Sequence, residues 1–126
     1  MSALTQGNTL GDWLIDEFGA PNHCREEGVL ASGQDLKTGT VVALGAGTTY
    51  SAYIDDDGTY GDLTKAGILI GDVDASGGAK ACVVLRRGPA TVVQDQLVWH
   101  ADNDSTEITE GLAGLLALGI VARRGV

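Results

Sequence analysis

Short apolar runs, separated by glycine, aspartate and serine, recur along the chain after Arg25. Val, Ile, Thr and Tyr are frequent in these runs, as is typical of β-strands, and turn signals such as Gly33-Gln34-Asp35 and Ser76-Gly77-Gly78 lie between them. The pattern predicts strands at residues 26–31, 40–44, 48–54, 66–73, 79–86 and 91–93, an extended piece at 97–100 and a last strand at 120–122. We therefore expect a mainly β domain of short strands.

One segment, from about Ser105 to Leu118, has helical periodicity instead. Its apolar residues form one stripe, namely Ile108, Leu112, Leu115 and Leu116. Asp104 and Glu107 have the spacing of a capping box, which favours a helix start at this point. Gly111 and Gly114 each weaken a helix by roughly 1 kcal/mol relative to alanine. The helix is therefore expected either to use these glycines for close packing or to depend on tertiary contacts.

The first 24 residues differ from the rest of the chain. They contain several glycines, Pro21 and two asparagines, and they enclose the apolar cluster Trp13, Leu14, Ile15 and Phe18 in a polar, acidic segment. Such a segment cannot alone bury enough surface to offset the entropy lost on ordering. Two interpretations follow: either it packs on its own domain, or it is a mobile arm that becomes ordered on a partner.

Composition narrows the class of protein. A chain of 126 residues is one domain by length, and with 5% aromatic residues its core must consist mainly of Val, Leu, Ile and Ala. The consecutive apolar residues Val83, Val84 and Leu85 indicate a strand covered on both faces. Seventeen acidic and eight basic residues give a net charge of -9, which argues against binding to nucleic acid or to an anionic membrane.

Two further features bear on the compartment. No basic residue precedes Arg25, so the charged start of a secretory signal is missing, and the apolar run Leu112 to Ala122 is shorter than the ~20 residues of a membrane-spanning helix. We therefore expect synthesis in the cytoplasm. Cys24 and Cys82 are expected to be free thiols there, and Cys82 to pack as a small apolar side chain.

The strongest cluster of charge is the acidic loop, residues Asp55 to Asp62. Carboxylates beside a glycine turn can bind calcium, because hard cations prefer many oxygen ligands. The EF-hand spacing is not met, however, so we expect an acidic hairpin tip in solvent. A calcium- or carbohydrate-binding β module that uses this loop stays open as the alternative function.

Other candidates for chemistry are isolated. His23, Cys24, His100 and Asp102 are zinc-ligand types, but they form two separate pairs without the short regular spacing of structural zinc sites. A cysteine hydrolase would need Cys24 and His100 to meet beside an oxyanion hole. We predict no catalytic residue, no metal site and no cofactor.

Three residues could act at a contact between subunits. Arg86 and Arg87 could pair with carboxylates across such a contact, and Trp99 could anchor it, because tryptophan is frequent in interface hot spots. The alternatives are ordinary surface charge for the arginines and core or edge packing for Trp99.

A resemblance to a known family is carried by several blocks in a fixed order. They are Arg25-Glu26 with Ala31-Ser32-Gly33-Gln34, Lys37-Thr38-Gly39-Thr40-Val41, Ala66-Gly67-Ile68-Leu69 with Asp72-Val73-Asp74-Ala75, Arg87-Gly88-Pro89-Ala90 leading to Leu97-Val98-Trp99, and Leu118-Gly119-Ile120-Val121. Each block is only a strand with a turn, but their order and spacing resemble the lambda-like bacteriophage head decoration proteins, which cement the outside of the capsid.

The resemblance implies a compact β-clip-like fold with one C-terminal helix and an extended N-terminal arm. It also implies a structural, non-enzymatic role on the outer surface of the virion: homotrimers at the three-fold positions of the expanded head would stabilise it against the pressure of the internal DNA. Residues 1–24 would be a flexible arm that binds the major capsid protein, with Trp13, Leu14, Ile15 and Phe18 as its anchor, and residues 25–126 the decoration domain.

Overall fold

The computed structural model describes residues 13–17, 24–45, 49–54 and 61–123. These residues form ten strands, one α-helix, α1 (Ser105–Ala117), and 3-10 helices at Leu63–Lys65 and Gln94–Gln96. The strands are β1 (Leu14–Glu17), β2 (Arg25–Leu30), β3 (Asp35–Leu36), β4 (Val41–Leu44), β5 (Thr49–Ala52), β6 (Ala66–Ile70), β7 (Val73–Asp74), β8 (Lys80–Leu85), β9 (Ala90–Val93) and β10 (Ile120–Arg123). The predicted mainly β class with one helix near the C-terminus is confirmed.

Five strands close into a barrel in the order β2-β5-β4-β6-β8, with β8 returning to β2. β2 and β8 pair along their whole length, from Arg25 opposite Leu85 to Leu30 opposite Lys80, and only the β2–β5 pair is parallel. The barrel closes between β2 and β5 at two described positions, Val29 opposite Thr49 and Leu30 opposite Tyr50. A second sheet of order β1-β9-β10 and a small β3–β7 ribbon complete the domain.

Part of the barrel wall is buried on both faces, as predicted for the β8 strand. Along β8, Val84 belongs to one buried cluster and Leu85 to the other; β6 shows the same alternation at Ile68 and Leu69. One cluster contains side chains of the barrel strands together with Ala75, Leu36 and Val73. The other also contains side chains from α1, β9 and β10, so it lies between the barrel wall and these elements.

One strand prediction needs correction. Residues 66–73 were expected to form one strand, but Gly71 adopts a φ of 85° and separates β6 from β7. A positive φ interrupts the extended backbone, and glycine adopts it without steric cost. The extended piece at residues 97–100 forms only a single bridge, between Thr40 and Val98.

Helix α1 begins with the predicted capping box. The Asp104 side chain accepts a hydrogen bond from the Glu107 backbone N–H, and the Glu107 side chain accepts one from the Asp104 N–H, both at 2.8 Å. A Cβ atom on Gly111 would lie 2.5 Å from the Trp99 ring, and one on Gly114 would lie 2.8 Å from the Leu63 Cβ. Both glycines therefore allow neighbouring side chains to approach the helix closely.

The predicted apolar stripe of α1 is wrong at one position. Leu115 is fully buried, whereas Leu116 is 58% exposed. At about 100° per residue, Ile108 and Leu115 lie on nearly the same line along the helix, while Leu116 points about 80° away from Ile108. Leu116 therefore lies beside the buried stripe rather than within it.

A close approach between barrel strands leads to a first testable prediction. A Cβ on Gly67 in β6 would lie 2.5 Å from the Val84 Cγ1 and 2.8 Å from the Leu85 carbonyl oxygen. Because a backbone atom cannot move aside cheaply, we expect Gly67→Ala to lower the free energy of unfolding by about 1–3 kcal/mol in urea denaturation. Gly77→Ala is the matched control, since nothing lies within 4 Å of its Cβ position. Equal effects of the two substitutions would contradict the tight packing of β6 on β8.

Candidate functional site

The N-terminal cluster proposed as an anchor meets the domain at Trp13. The Trp13 side chain is fully buried in the core that lies between the barrel wall and α1, and Leu14 packs partly buried against the same core. Ile15 lies in β1, but its side chain and the whole of Phe18 lie outside the described residues. The sequence left open whether this segment packs on its own domain or is a mobile arm, and the structure places the Trp13 indole inside the domain.

The polar end of the Trp13 indole is satisfied by Thr38, which sequence reasoning did not single out. Trp13 Nε1 donates to Thr38 Oγ1 at 2.9 Å, and Thr38 is itself 3% exposed. The same oxygen accepts from the Gly71 N–H at 3.0 Å, and the Thr38 N–H donates to Asp72 Oδ1 at 2.8 Å. A threonine in a turn carries no sequence signal for this role, because its partners lie 25 to 34 residues away.

Backbone pairing adds a second attachment. β1 runs antiparallel to β9, with Leu14 opposite Val92 and Asp16 opposite Thr91, and with an irregularity in register between them. β9 in turn pairs in parallel with β10, so β1 and β10 are the two outer strands of this sheet. The segment from Trp13 to Glu17 is therefore held both by a core side chain and by strand pairing.

The two arginines proposed for subunit contacts have partners within the chain. Arg86 donates from Nη1 to the Tyr50 hydroxyl at 2.7 Å, and its guanidinium carbon lies 6.0 Å from the centre of the Tyr50 ring. Arg87 forms an ion pair with Glu26 at 2.6 Å, and both side chains are about half exposed. An exposed pair of this kind contributes at most about 1 kcal/mol to stability, so Arg87 could exchange partners at little cost.

Trp99 packs within its own domain. Its ring meets Tyr53 edge-on, with ring centres 6.3 Å apart, and its six-membered ring lies against Gly111 of α1. Asn103 adds a buried hydrogen bond from its Nδ2 to the Tyr53 carbonyl at 2.9 Å. These contacts attach the start of α1 to the barrel, which is the packing alternative that the sequence left open for Trp99.

Cys24, Cys82 and His100 are the described cysteine and histidine residues, the types considered for zinc or cysteine chemistry. Cys24 is 1% exposed, and its Sγ lies 3.6 Å from the Pro89 carbonyl oxygen. Neither Cys24 nor Cys82 is joined in a disulfide among the described residues, and burial raises the pKa of the Cys82 thiol, which disfavours the reactive thiolate. His100 Nδ1 accepts a hydrogen bond from the Asp102 N–H at 3.1 Å. His23 lies outside the described residues.

The acidic loop lies outside the described residues except for Gly61 and Asp62. Hydrogen bonds from the hydroxyl and N–H of Thr64 lower the pKa of Asp62, and those from Ser76 lower the pKa of Asp74 in the same way. Both carboxylates therefore accept hydrogen bonds within local turns. Within the ranges that the structure describes, no three His, Cys, Asp or Glu side chains are grouped to hold a metal ion.

The surface offers shallow features. A depression of about 360 Å³ runs beside β2 and is lined by Glu26, Glu27, Gly28, Val29, Leu44 and Tyr50. The exposed large apolar side chains among the described residues are Val98, Leu116 and Val121. No helix in that part of the chain is long and apolar enough to cross a membrane.

Comparison with known proteins identifies the family. Curated proteins show no significant match to the chain. A family model described as bacteriophage lambda head decoration protein D matches residues 3–120, which is almost the whole sequence. The match includes residues before β1, the barrel strands, β1, β9 and α1, and it ends at the first residue of β10. The chain therefore belongs to the bacteriophage lambda head decoration protein D family.

Proposed function

We propose that this protein cements a phage head, binding the outer surface of the expanded shell as homotrimers at three-fold positions and stabilising it against the pressure of packaged DNA. The observation that carries the proposal is the family match over residues 3–120. The family is that of a head decoration protein, so a location on the capsid follows from membership. Trimerisation, the three-fold positions and the stabilisation are the proposed part.

The charge of the chain supports assembly on a shell rather than in free solution. A net charge of -9 makes copies repel one another at a distance. Contact with the shell would offset this repulsion by holding copies side by side. If each trimer presents three N-terminal segments, modest individual contacts combine into strong overall binding.

In this proposal the partner is the major capsid protein, and the N-terminal segment, residues 1–24, supplies the principal contact. Addition of a peptide strand to a sheet edge is a general way in which an extended segment binds. Arg87 is the best placed of the three candidate subunit-contact residues, because its ion pair with Glu26 lies at the surface. Arg86 and Trp99 are packed against Tyr50 and Gly111 of their own chain.

The test is co-sedimentation of the full chain with undecorated heads of the parent phage, in expanded and unexpanded forms. We expect saturable binding to expanded heads at three copies per three-fold position, and at least tenfold weaker binding to unexpanded heads. Decorated heads filled with DNA should also retain that DNA up to a higher temperature than undecorated heads do. Folded protein that does not sediment with expanded heads would overturn the proposal, and saturation at one copy per position would overturn the trimer.

A further inference from the structure

The described N-terminal residues are built into the domain at two points. The first is the Trp13 side chain, which is fully buried and donates its indole N–H to the buried Thr38 hydroxyl. The second is β1, whose backbone pairs with β9. Both contacts lie within the chain, so neither needs a partner molecule.

Gly39 and the Thr38 hydroxyl lie close to the Trp13 ring. Gly39 has a φ of 90°, and a Cβ there would lie 3.2 Å from the Trp13 Cδ1 and 3.2 Å from the Gln96 carbonyl oxygen. The hydroxyl that accepts the indole N–H also accepts from the Gly71 N–H. Withdrawing the tryptophan would therefore open an apolar space and remove one hydrogen-bond partner of a buried hydroxyl, both of which disfavour release.

We propose that Trp13–Glu17 remains docked when the protein is on the shell and acts as the fixed root of the N-terminal segment. This inference rests on the proposed function and changes where the capsid contact begins. The residues before Trp13 then make the contact, and those from Trp13 to Glu17 do not. A force that pulls on the N-terminal segment is then transmitted to the domain through Trp13 and β1.

A reversible lock across β1 and β9 tests this directly in the full chain. Asp16 and Thr91 are Cα partners in the antiparallel pair, and such partners lie about 4.5–5.5 Å apart, which suits a disulfide. Asp16→Cys combined with Thr91→Cys should therefore form an intramolecular bond on oxidation. Cys24 and Cys82 are buried, and the two single substitutions serve as controls for unwanted pairing.

If the root stays docked, the oxidised double variant binds expanded heads with an affinity within about twofold of that of its reduced form. If oxidation instead weakened binding to expanded heads tenfold or more, and reducing agent restored it, β1 would have to leave its sheet on the shell. That result would overturn the proposal of a docked root. Disulfides formed between copies instead of within one would also overturn it, because β1 would then come from a neighbour. If the natural chain itself ignores expanded heads, the proposed function fails and the root with it.

A second measurement needs no substitution. Amide hydrogen exchange at residues 14–17 of the natural chain is compared between free protein and protein bound to heads. Protection that is unchanged or greater on the shell supports a docked root, and a tenfold or greater loss of protection contradicts it. This comparison decides the matter even if the reduced double variant binds poorly because of its substitutions.

Discussion

Replacing Trp13 by alanine is expected to lower the free energy of unfolding by about 3–5 kcal/mol. The indole is fully buried and contacts the core that α1 and the second sheet share with the barrel. Its removal leaves a large cavity and takes from Thr38 a hydrogen bond of 2.9 Å. Unfolding should be followed in urea by far-ultraviolet circular dichroism, because the substitution removes one of the two tryptophans on which fluorescence depends.

Two controls make the Trp13 result specific. Trp13→Phe keeps an aromatic ring and loses only the indole N–H and part of the volume, so we expect a loss about half as large. Val121→Ala alters a side chain that is 42% exposed and should change stability by no more than about 0.5 kcal/mol. A tryptophan kept free to bind the capsid would behave like Val121. An unchanged Trp13→Ala protein would therefore contradict both its burial and the docked root.

The second large effect is expected in α1, where Leu115→Ala should cost about 2–5 kcal/mol. Leu115 is the large side chain of the helix that is fully buried, and it belongs to the same core as Trp13. Leu116→Ala is a control matched in residue type and helix position, because the adjacent Leu116 is 58% exposed. We expect that control to cost less than about 1 kcal/mol in the same urea titration.

The Leu115 and Leu116 pair also bears on binding to the shell. If Leu116→Ala left stability unchanged but weakened trimer formation or capsid binding, the exposed end of α1 would lie in a contact between molecules. If Leu116→Ala instead destabilised the free protein as much as Leu115→Ala, the orientation of the helix would be wrong. Measuring both stability and co-sedimentation for the same two variants separates these outcomes.

Much of the secondary structure could be predicted, because local signals specify it. The capping box of Asp104 and Glu107 is local in sequence, and the start of α1 followed from it. The consecutive apolar residues of β8 correctly indicated a strand buried on both faces. The β3–β7 ribbon was missed because each of its strands has two residues, which is too short for any alternation to show.

Fewer of the contacts in the candidate site could be predicted from the sequence. Trp13 sits among turn residues in an acidic stretch, and a pattern of that kind indicates low local structure. Its burial depends on Thr38 and on β9, whose residues are distant in the chain. Arg86 was singled out in the sequence for its charge and Trp99 as a tryptophan. Their partners, Tyr50 and Gly111, could not be identified before the fold was known.

The sequence by itself determined the mainly β class, the C-terminal helix with its cap, and the family resemblance that points to a phage head. These depend on residue types at short spacing, which a single chain displays directly. Only the tertiary structure decided that five strands close into a barrel, that Trp13 is a core residue, and that Leu115 rather than Leu116 faces the core. The physical reason is that burial and pairing join residues far apart in the chain, and local preferences do not specify which distant surface covers a given side chain.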